Sequence, residues 1–262
     1  MIQRLNVSQG TAHRMGILAL SFLLLAVNLP SAVAGPVRPW NGVRFHYLAY
    51  KLGATVVKAS LSIERDGPFH VVKVTVDSVG VTRPVFRMHN RFTSYIKEAG
   101  LEPWRYIKEV DQRGIFSKKK RYTDILTFDP RNGKVIVERL NPPGVQEISV
   151  PPQTYDPLAV FLKFFLGAEA QDGHTIVMRI FDGIKLKEVT FCAGCGEITT
   201  SPYGVVKAIS LESKVPFSSL GDREGTIKIW YTDDERRFPV AMSLKLPSVG
   251  KVEFELDRVE TW

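Results

Sequence analysis

The C-terminal third of the chain alternates between apolar and polar residues with little interruption. Ile227, Ile229 and Tyr231 alternate with Lys228, Trp230 and Thr232, and Val240, Met242, Leu244 and Leu246 with Ala241, Ser243 and Lys245. Val252, Phe254 and Leu256 then alternate with Glu253, Glu255 and Asp257. Neighbouring side chains of a strand point to opposite faces, so this period predicts three half-buried antiparallel strands. Their turns are Asp233–Arg237 ahead of Pro239, and Pro247-Ser248-Val249-Gly250. A sheet with one apolar face must bury it against something.

The chain upstream supplies more strands of the same kind. Phe45–Lys51 reads as a first strand. Val57, Ala59, Leu61 and Ile63 mark a second, and Val72, Val74 and Val76 a third beyond the Asp66-Gly67-Pro68 turn. Phe86–Lys97 is interrupted by Arg87, His89, Asn90 and Arg91, which suggests a bulge or a helical turn at its start. Trp104–Val110 and Ile115–Phe128 predict a hairpin around Asp111–Gly114, and Asn132-Gly133 turns the chain into Val135–Val137. Strands resume at Ile176–Ile180, Ile184–Phe191 and Val205–Leu211, with a loop over 214–224.

One segment is helical. After a Pro-rich interval (Pro142, Pro143, Pro151, Pro152), Asp156 is placed to cap a helix, Pro157 to begin it and Gly167 to stop it. Between them Leu158–Leu166 carries Lys163 as its single polar side chain, the pattern of a helix buried on all sides. At roughly 15 Å long it is too short to cross a bilayer and suits a core plug. The predicted fold is therefore all-β, a long twisted antiparallel sheet curled into a half-barrel or distorted sandwich around one buried helix.

At the N-terminus, Arg4, His13 and Arg14 precede the apolar run Gly16–Val27, and Ala32-Val33-Ala34 supplies a small-residue cleavage site. This is the layout of a secretory signal peptide over 1–34, predicting a single β domain over 35–262 that is periplasmic and soluble after processing. Formal charge is +8, of which Arg4 and Arg14 contribute two, leaving +6 (8 − 2) on the remainder. Such an excess suits an anionic partner or plain solubility, and export disfavours nucleic acid.

Cys192-Ala193-Gly194-Cys195 can be a redox pair, half a zinc site or a local disulfide at a hairpin tip. Redox pairs sit at a helix N-terminus, and no second Cys pair exists for zinc, so strand flanks and export favour the disulfide. Lys118-Lys119-Lys120-Arg121 is a candidate anion-binding run if it lies at a hairpin tip, and otherwise a solvated strand segment. Leu158, Phe161, Leu162 and Phe165 are the candidate lining of an apolar pocket. The histidines beyond the N-terminal segment, His46, His70, His89 and His174, show no motif spacing, and no nucleotide, zinc-protease or serine-hydrolase signature occurs. No cofactor or metal site is expected.

Trp230-Tyr231-Thr232-Asp233-Asp234, Arg236-Arg237, Pro239-Val240 and Gly250, together with Tyr155-Asp156-Pro157-Leu158 and Leu101-Glu102-Pro103, resemble a bacterial exported family catalogued as domain of unknown function 3108. The resemblance spans roughly 45–260 and implies an envelope β protein without assigning catalytic residues. Three functions compete. The first is a non-enzymatic binding or chaperone-like module for an apolar or amphipathic envelope component such as a lipid. The second is a scaffolding partner that binds envelope proteins at a sheet edge, and the third an uncharacterised hydrolase. A large apolar pocket, a long exposed edge strand and converging carboxylates would respectively distinguish them.

Overall fold

The alternating segments form strands, and all strands join one sheet. A computed structural model of the chain describes residues 41–115, 117–166, 170–217, 223–247 and 250–262, without the side chains of 117, 118 and 217. The N-terminal segment with its cleavage site, and Gly167, lie outside the described residues.

The first half holds β1 (Gly42–Lys51), β2 (Ala54–Asp66), β3 (Phe69–Ser78), β4 (Phe86–Lys97), β5 (Pro103–Gly114), β6 (Ser117–Asp129), β7 (Lys134–Leu140) and β8 (Pro143–Ser149). The two-residue β9 (Thr154–Tyr155) and helix α1 (Pro157–Phe165) follow. The second half holds β10 (Thr175–Phe181), β11 (Leu186–Thr200), β12 (Gly204–Phe217), β13 (Arg223–Thr232), β14 (Pro239–Leu246) and β15 (Gly250–Thr261).

The spatial order is β8-β7-β6-β5-β4-β3-β2-β1-β15-β14-β13-β12-β11-β10-β9. Each half is a meander, and the two halves join where β1 pairs with β15. All pairings are antiparallel except β9 with β10. The sheet curls without closing, so β8 and β9, neighbours in sequence, are its two opposite edges.

Several elements differ from the sequence expectation. The β5–β6 turn falls at Ile115, past Gly114, because Asp111 and Gln112 pair with Arg121 and Lys120 inside the ladder. The helical turn near β4 is a single 3-10 turn at Gly80–Thr82, and β4 is regular at its start, with a register shift against β5 near its end, between Tyr95 and Ile96. The Pro-rich interval contains strand β8, and the 214–224 loop is mostly strand, with β12 reaching Phe217 and β13 starting at Arg223.

The inner face carries the core. Phe45, Leu61, Val74 and Phe92 lie opposite one another across β1–β4 and are all buried. Helix α1 fills the curl, with every residue except Lys163 buried. Phe165 meets Phe45 edge-on at 5.8 Å between ring centres, and Phe161 lies 5.9 Å from Tyr231 of β13. The helix thereby contacts both halves of the sheet.

Its start is fixed by Asp156. One carboxylate oxygen accepts from the Leu158 and Ala159 N–H groups at 2.7 and 3.0 Å, and the other from Ser94 Oγ of β4 at 2.6 Å. Burial pushes this carboxyl up to about 6, against the pull of those three donors. A folded-state value above the ordinary 3.8 means that the native state holds the proton more tightly than the unfolded chain does. The contribution of Asp156 to stability is therefore greatest below pH about 4, declines towards pH about 6 and is level above. Asp156→Asn keeps an oxygen for the two backbone donors and cannot ionise. Its stability relative to the native chain should rise across that window by on the order of 2 kcal/mol. Urea unfolding of both proteins from pH 4 to 7 checks this; parallel profiles would show that the carboxyl titrates normally.

Candidate functional site

The sheet interior changes character between β4 and β7. The apolar row through Phe45, Leu61, Val74 and Phe92 continues as Lys108 on β5, Asp124 on β6 and Arg139 on β7, each directly opposite the next. Lys108 and Asp124 are fully buried. Arg139, half exposed, grips Asp124 with two bonds, Nε to Oδ1 at 2.6 Å and Nη2 to Oδ2 at 2.7 Å. The Tyr122 ring lies under both cations, 5.2 Å from the Arg139 guanidinium and 5.7 Å from Lys108 Nζ.

This row meets the far end of the sheet. Lys108 Nζ donates to the Asp182 carbonyl in the β10–β11 turn, at a long 3.4 Å. Asp182 itself holds that turn: Oδ1 accepts from the Ile184 and Lys185 N–H groups, and Oδ2 lies 3.3 Å from Lys187 Nζ. Gly183 in the same turn sits against Leu126 of β6, where a Cβ would come within 3.1 Å of a methyl carbon. Burial draws the Lys108 ammonium below its ordinary range, and Asp182 and Asp124 oppose the shift. The cluster thus ties the β5–β7 side to the β10–β11 turn across the open side of the curl. Its two carboxylates, Asp124 and Asp182, and its three cations, Lys108, Arg139 and Lys187, engage one another or the backbone, which is the chemistry of a fastener. No signal in a single strand reveals it, because the row exists only once three strands are paired; the one hint is a lysine between the inward-facing Tyr106 and Val110.

The unclosed edge itself is unequal. β9 is short and buried, whereas β8 is exposed along nearly all of its length. Val150 donates to the Gly133 carbonyl at 2.8 Å, just past the β7–β8 ladder, in register with Ser149 opposite Lys134. Bonded pairs alternate in an antiparallel ladder, so Gly144, Gln146 and Ile148 exchange bonds with β7. Val145, Glu147 and Ser149 turn their N–H and C=O groups to the free edge.

The expected apolar pocket is small. A cavity of about 20 Å³ lies beside α1, lined by Tyr47, Ala59, Leu61, Phe161, Met242 and Phe254 among others. That is room for about one water, against about 300 Å³ at the low end for ligand sites. Of the four candidate lining residues only Phe161 borders it; Leu158, Leu162 and Phe165 are packed in the core. The basic run lies at the start of β6, next to the β5–β6 turn, with Lys119 and Arg121 exposed and Lys120 half-buried; the side chain of Lys118 lies outside the described residues.

The disulfide expectation is corrected. Cys192 and Cys195 are free, exposed and inside β11, not at a hairpin tip. Three residues of extended chain separate their Cα atoms by about 10 Å, beyond the roughly 7 Å that a disulfide spans. The chain is straight here because β11 pairs without a break from Cys192 opposite Glu212 to Thr200 opposite Gly204. Among the described residues no group of three His, Cys, Asp or Glu side chains gathers as a metal site would require.

The turn before β14 is also a fastener. Thr232 Oγ1 donates to Asp234 Oδ1 at 2.8 Å and accepts from Phe238 N–H at 2.9 Å. Arg236 forks onto Asp234 Oδ2 and lies 5.4 Å from the Tyr203 ring. These residues shape the β13–β14 connection and bring Phe238 onto Phe45.

Fold and site together define a class: a barrel-like antiparallel sheet left open along one side, plugged by an internal helix and fastened by buried ion pairs. The chain belongs to the family described as "protein of unknown function (DUF3108)", which matches residues 44–257. No curated protein matches the sequence. Among solved structures of similar fold is a β-barrel-like protein of domain of unknown function DUF1849 from Brucella abortus, at a TM-score of 0.57 and 10% identity. That likeness covers 86% of this chain and 99% of the other, and at such identity it concerns the fold alone.

Removing one partner of the buried pair should be costly. Arg139→Ala leaves Asp124 charged and desolvated, and should destabilise by about 2–3 kcal/mol, discounted for the exposure of the guanidinium. Adding Asp124→Asn should recover part of the loss. A double-mutant cycle in urea checks the coupling; additive losses would show that the two side chains are not coupled. For the cysteines, the native protein should titrate two thiols per chain, and reductant should leave its melting temperature unchanged.

Proposed function

We propose that this chain is a non-enzymatic binding protein of the cell envelope that acts by adding a partner's strand to its free edge at β8. The observation that carries the reading is the edge itself. β8 is seven residues long, exposed, and among the described residues paired only with β7, while Val145, Glu147 and Ser149 direct backbone donors and acceptors outward. Natural sheets usually shorten, bulge or cover such an edge, and β9 at the other end is both short and buried. An uncovered edge suits strand addition, in which main-chain bonds supply affinity and alternate side chains supply selectivity. The N-terminal segment supports an envelope location by its signal-peptide layout.

Two observations weigh against the competing readings. The cavity beside α1 would have to open before an acyl chain could enter. The buried carboxylates Asp124, Asp156 and Asp182 are each engaged by Arg139, by the helix start and by the β10–β11 turn, which favours binding over acid–base hydrolysis.

Hydrogen exchange on the protein in contact with an envelope extract from its own cells tests this. The amides of Val145, Glu147 and Ser149 should gain protection, while those of Gln146 and Ile148 stay protected throughout. Val145→Pro with Glu147→Pro removes two outward donors and no ladder bond, and should abolish the gain while leaving the fold intact. Unchanged exchange at the edge, with lipid retained in native mass spectra, would overturn strand addition in favour of an apolar ligand beside α1.

A further inference from the structure

Three hairpin ends of the first meander lie side by side at one end of the sheet. Leu52 of the β1–β2 turn, Val81 of the β3–β4 connection and Ile115 of the β5–β6 turn each fall seven residues beyond the inner row of Phe45, Val74 and Lys108 (52 − 45, 81 − 74, 115 − 108). They are 99%, 72% and 65% exposed. Val85, also exposed, belongs to the same connection.

The three ends form one platform. Ile115 N–H donates to the Val85 carbonyl at 3.0 Å, joining the second and third. Val79 N–H and Thr82 Oγ1 both donate to the Val56 carbonyl, at 3.0 and 2.8 Å, joining the first and second. Leu52 is held at φ 50°, a conformation in which glycine or asparagine is the ordinary choice. A leucine kept there in full contact with water gains nothing for the fold.

Basic residues surround these aliphatic tips. The segments 50–55, 79–87 and 112–121 contain lysines and arginines and no aspartate or glutamate except Asp111 just outside the last. Arg83, Arg87, Arg113, Lys119 and Arg121 are exposed. The turn at the opposite end, between β13 and β14, mixes both signs in Asp233–Arg237, and its Phe238 is buried.

We propose that this platform docks on a lipid surface that carries anionic headgroups. Hairpin ends lie two strands apart, about 10 Å, so the aliphatic tips stand as separate projections, not as a continuous patch or groove. Separate projections ringed by cations suit a fluid interface that each can enter on its own, with the cations among headgroup phosphates. A protein partner would need one contiguous complementary area of about 800 Å² per side. The inference is independent of strand addition at β8, which lies on the far edge of the same meander. It gives the basic run at the start of β6 a role that the cavity beside α1 does not.

Co-sedimentation of the purified protein with vesicles of phosphatidylcholine, alone or mixed with phosphatidylglycerol, tests the proposal. The protein should bind the mixed vesicles more tightly than the neutral ones, and the difference should shrink at high salt. Leu52→Ser, Val81→Ser and Ile115→Ser combined should weaken binding about tenfold or more. Arg83→Gln, Arg87→Gln and Lys119→Gln combined should remove the preference for the anionic vesicles. Val205→Ser, an exposed aliphatic at the start of β12, should change neither. All variants carry the same N-terminus and alter exposed side chains only, so their melting temperatures should match the native value. Equal binding by the native protein and the triple serine variant would overturn the proposal. So would a native oligomer that the serine variant dissociates, since the platform would then join copies of the chain.

Discussion

The structure depends on a sheet with no second sheet to cover it. One apolar face spread over fifteen strands has to be buried by curling, and a curl of that size leaves a space at its centre. Helix α1 fills that space, which explains its apolar character on nearly every side. The chain can place it there because β8 and β9 are consecutive in sequence but opposite in the sheet, so the connection between them passes the opening. Asp156 then has to satisfy the helix start while itself fully buried. It recruits Ser94 from β4 for the purpose, and a raised carboxyl pKa is the cost.

Leaving the sheet open creates a second requirement. A closed barrel holds its last strand to its first by backbone bonds, and here those bonds are missing between β8 and β9. Side chains do part of that work. Lys108 reaches the Asp182 carbonyl, Leu126 packs on Gly183, and Lys163 of α1 donates both to Tyr155 Oη of β9 at 3.1 Å and to the Gly100 carbonyl between β4 and β5 at 3.5 Å. Contacts of this kind are individually weaker than a ladder, so the opening is held at a few points and, among the described residues, the outer edge of β8 carries no further strand.

How much of this was legible depends on whether the signal lies within a segment or between segments. The inner and outer faces of β13–β15 see different solvents, and their alternation can be read directly. The cap and first turn of α1 are equally local: Asp156 and Pro157 can sit side by side at a helix start for reasons of backbone geometry alone. β8 was hidden because an edge strand exposed on both faces has no alternation to show, and because Pro143 is tolerated at its first position. The length of β11 was hidden by Gly194 and Gly196, which read as a turn and are in fact strand residues, one of them close against Ser210. That misreading carried the disulfide with it. Lys108, Asp124 and Arg139 belong to three strands, and only their register shows that they meet.

The same distinction separates the two elements proposed for binding. A free edge is a property of topology, since nothing in Pro143–Ser149 differs from a solvent-exposed loop until β7 is placed beside it. The aliphatic tips are legible as residues, but Leu52, Val81 and Ile115 are far apart in sequence and acquire a common level only through the pairing of β1 to β6. Both elements use what a meander offers without distorting it. The edge presents backbone groups in the plane of the sheet, and the hairpin ends present side chains along the strand axis. A molecule built this way can lie against a surface with its strands pointing at it and still have its edge clear to the side. The two directions are perpendicular because hydrogen bonds between strands run across the strands themselves.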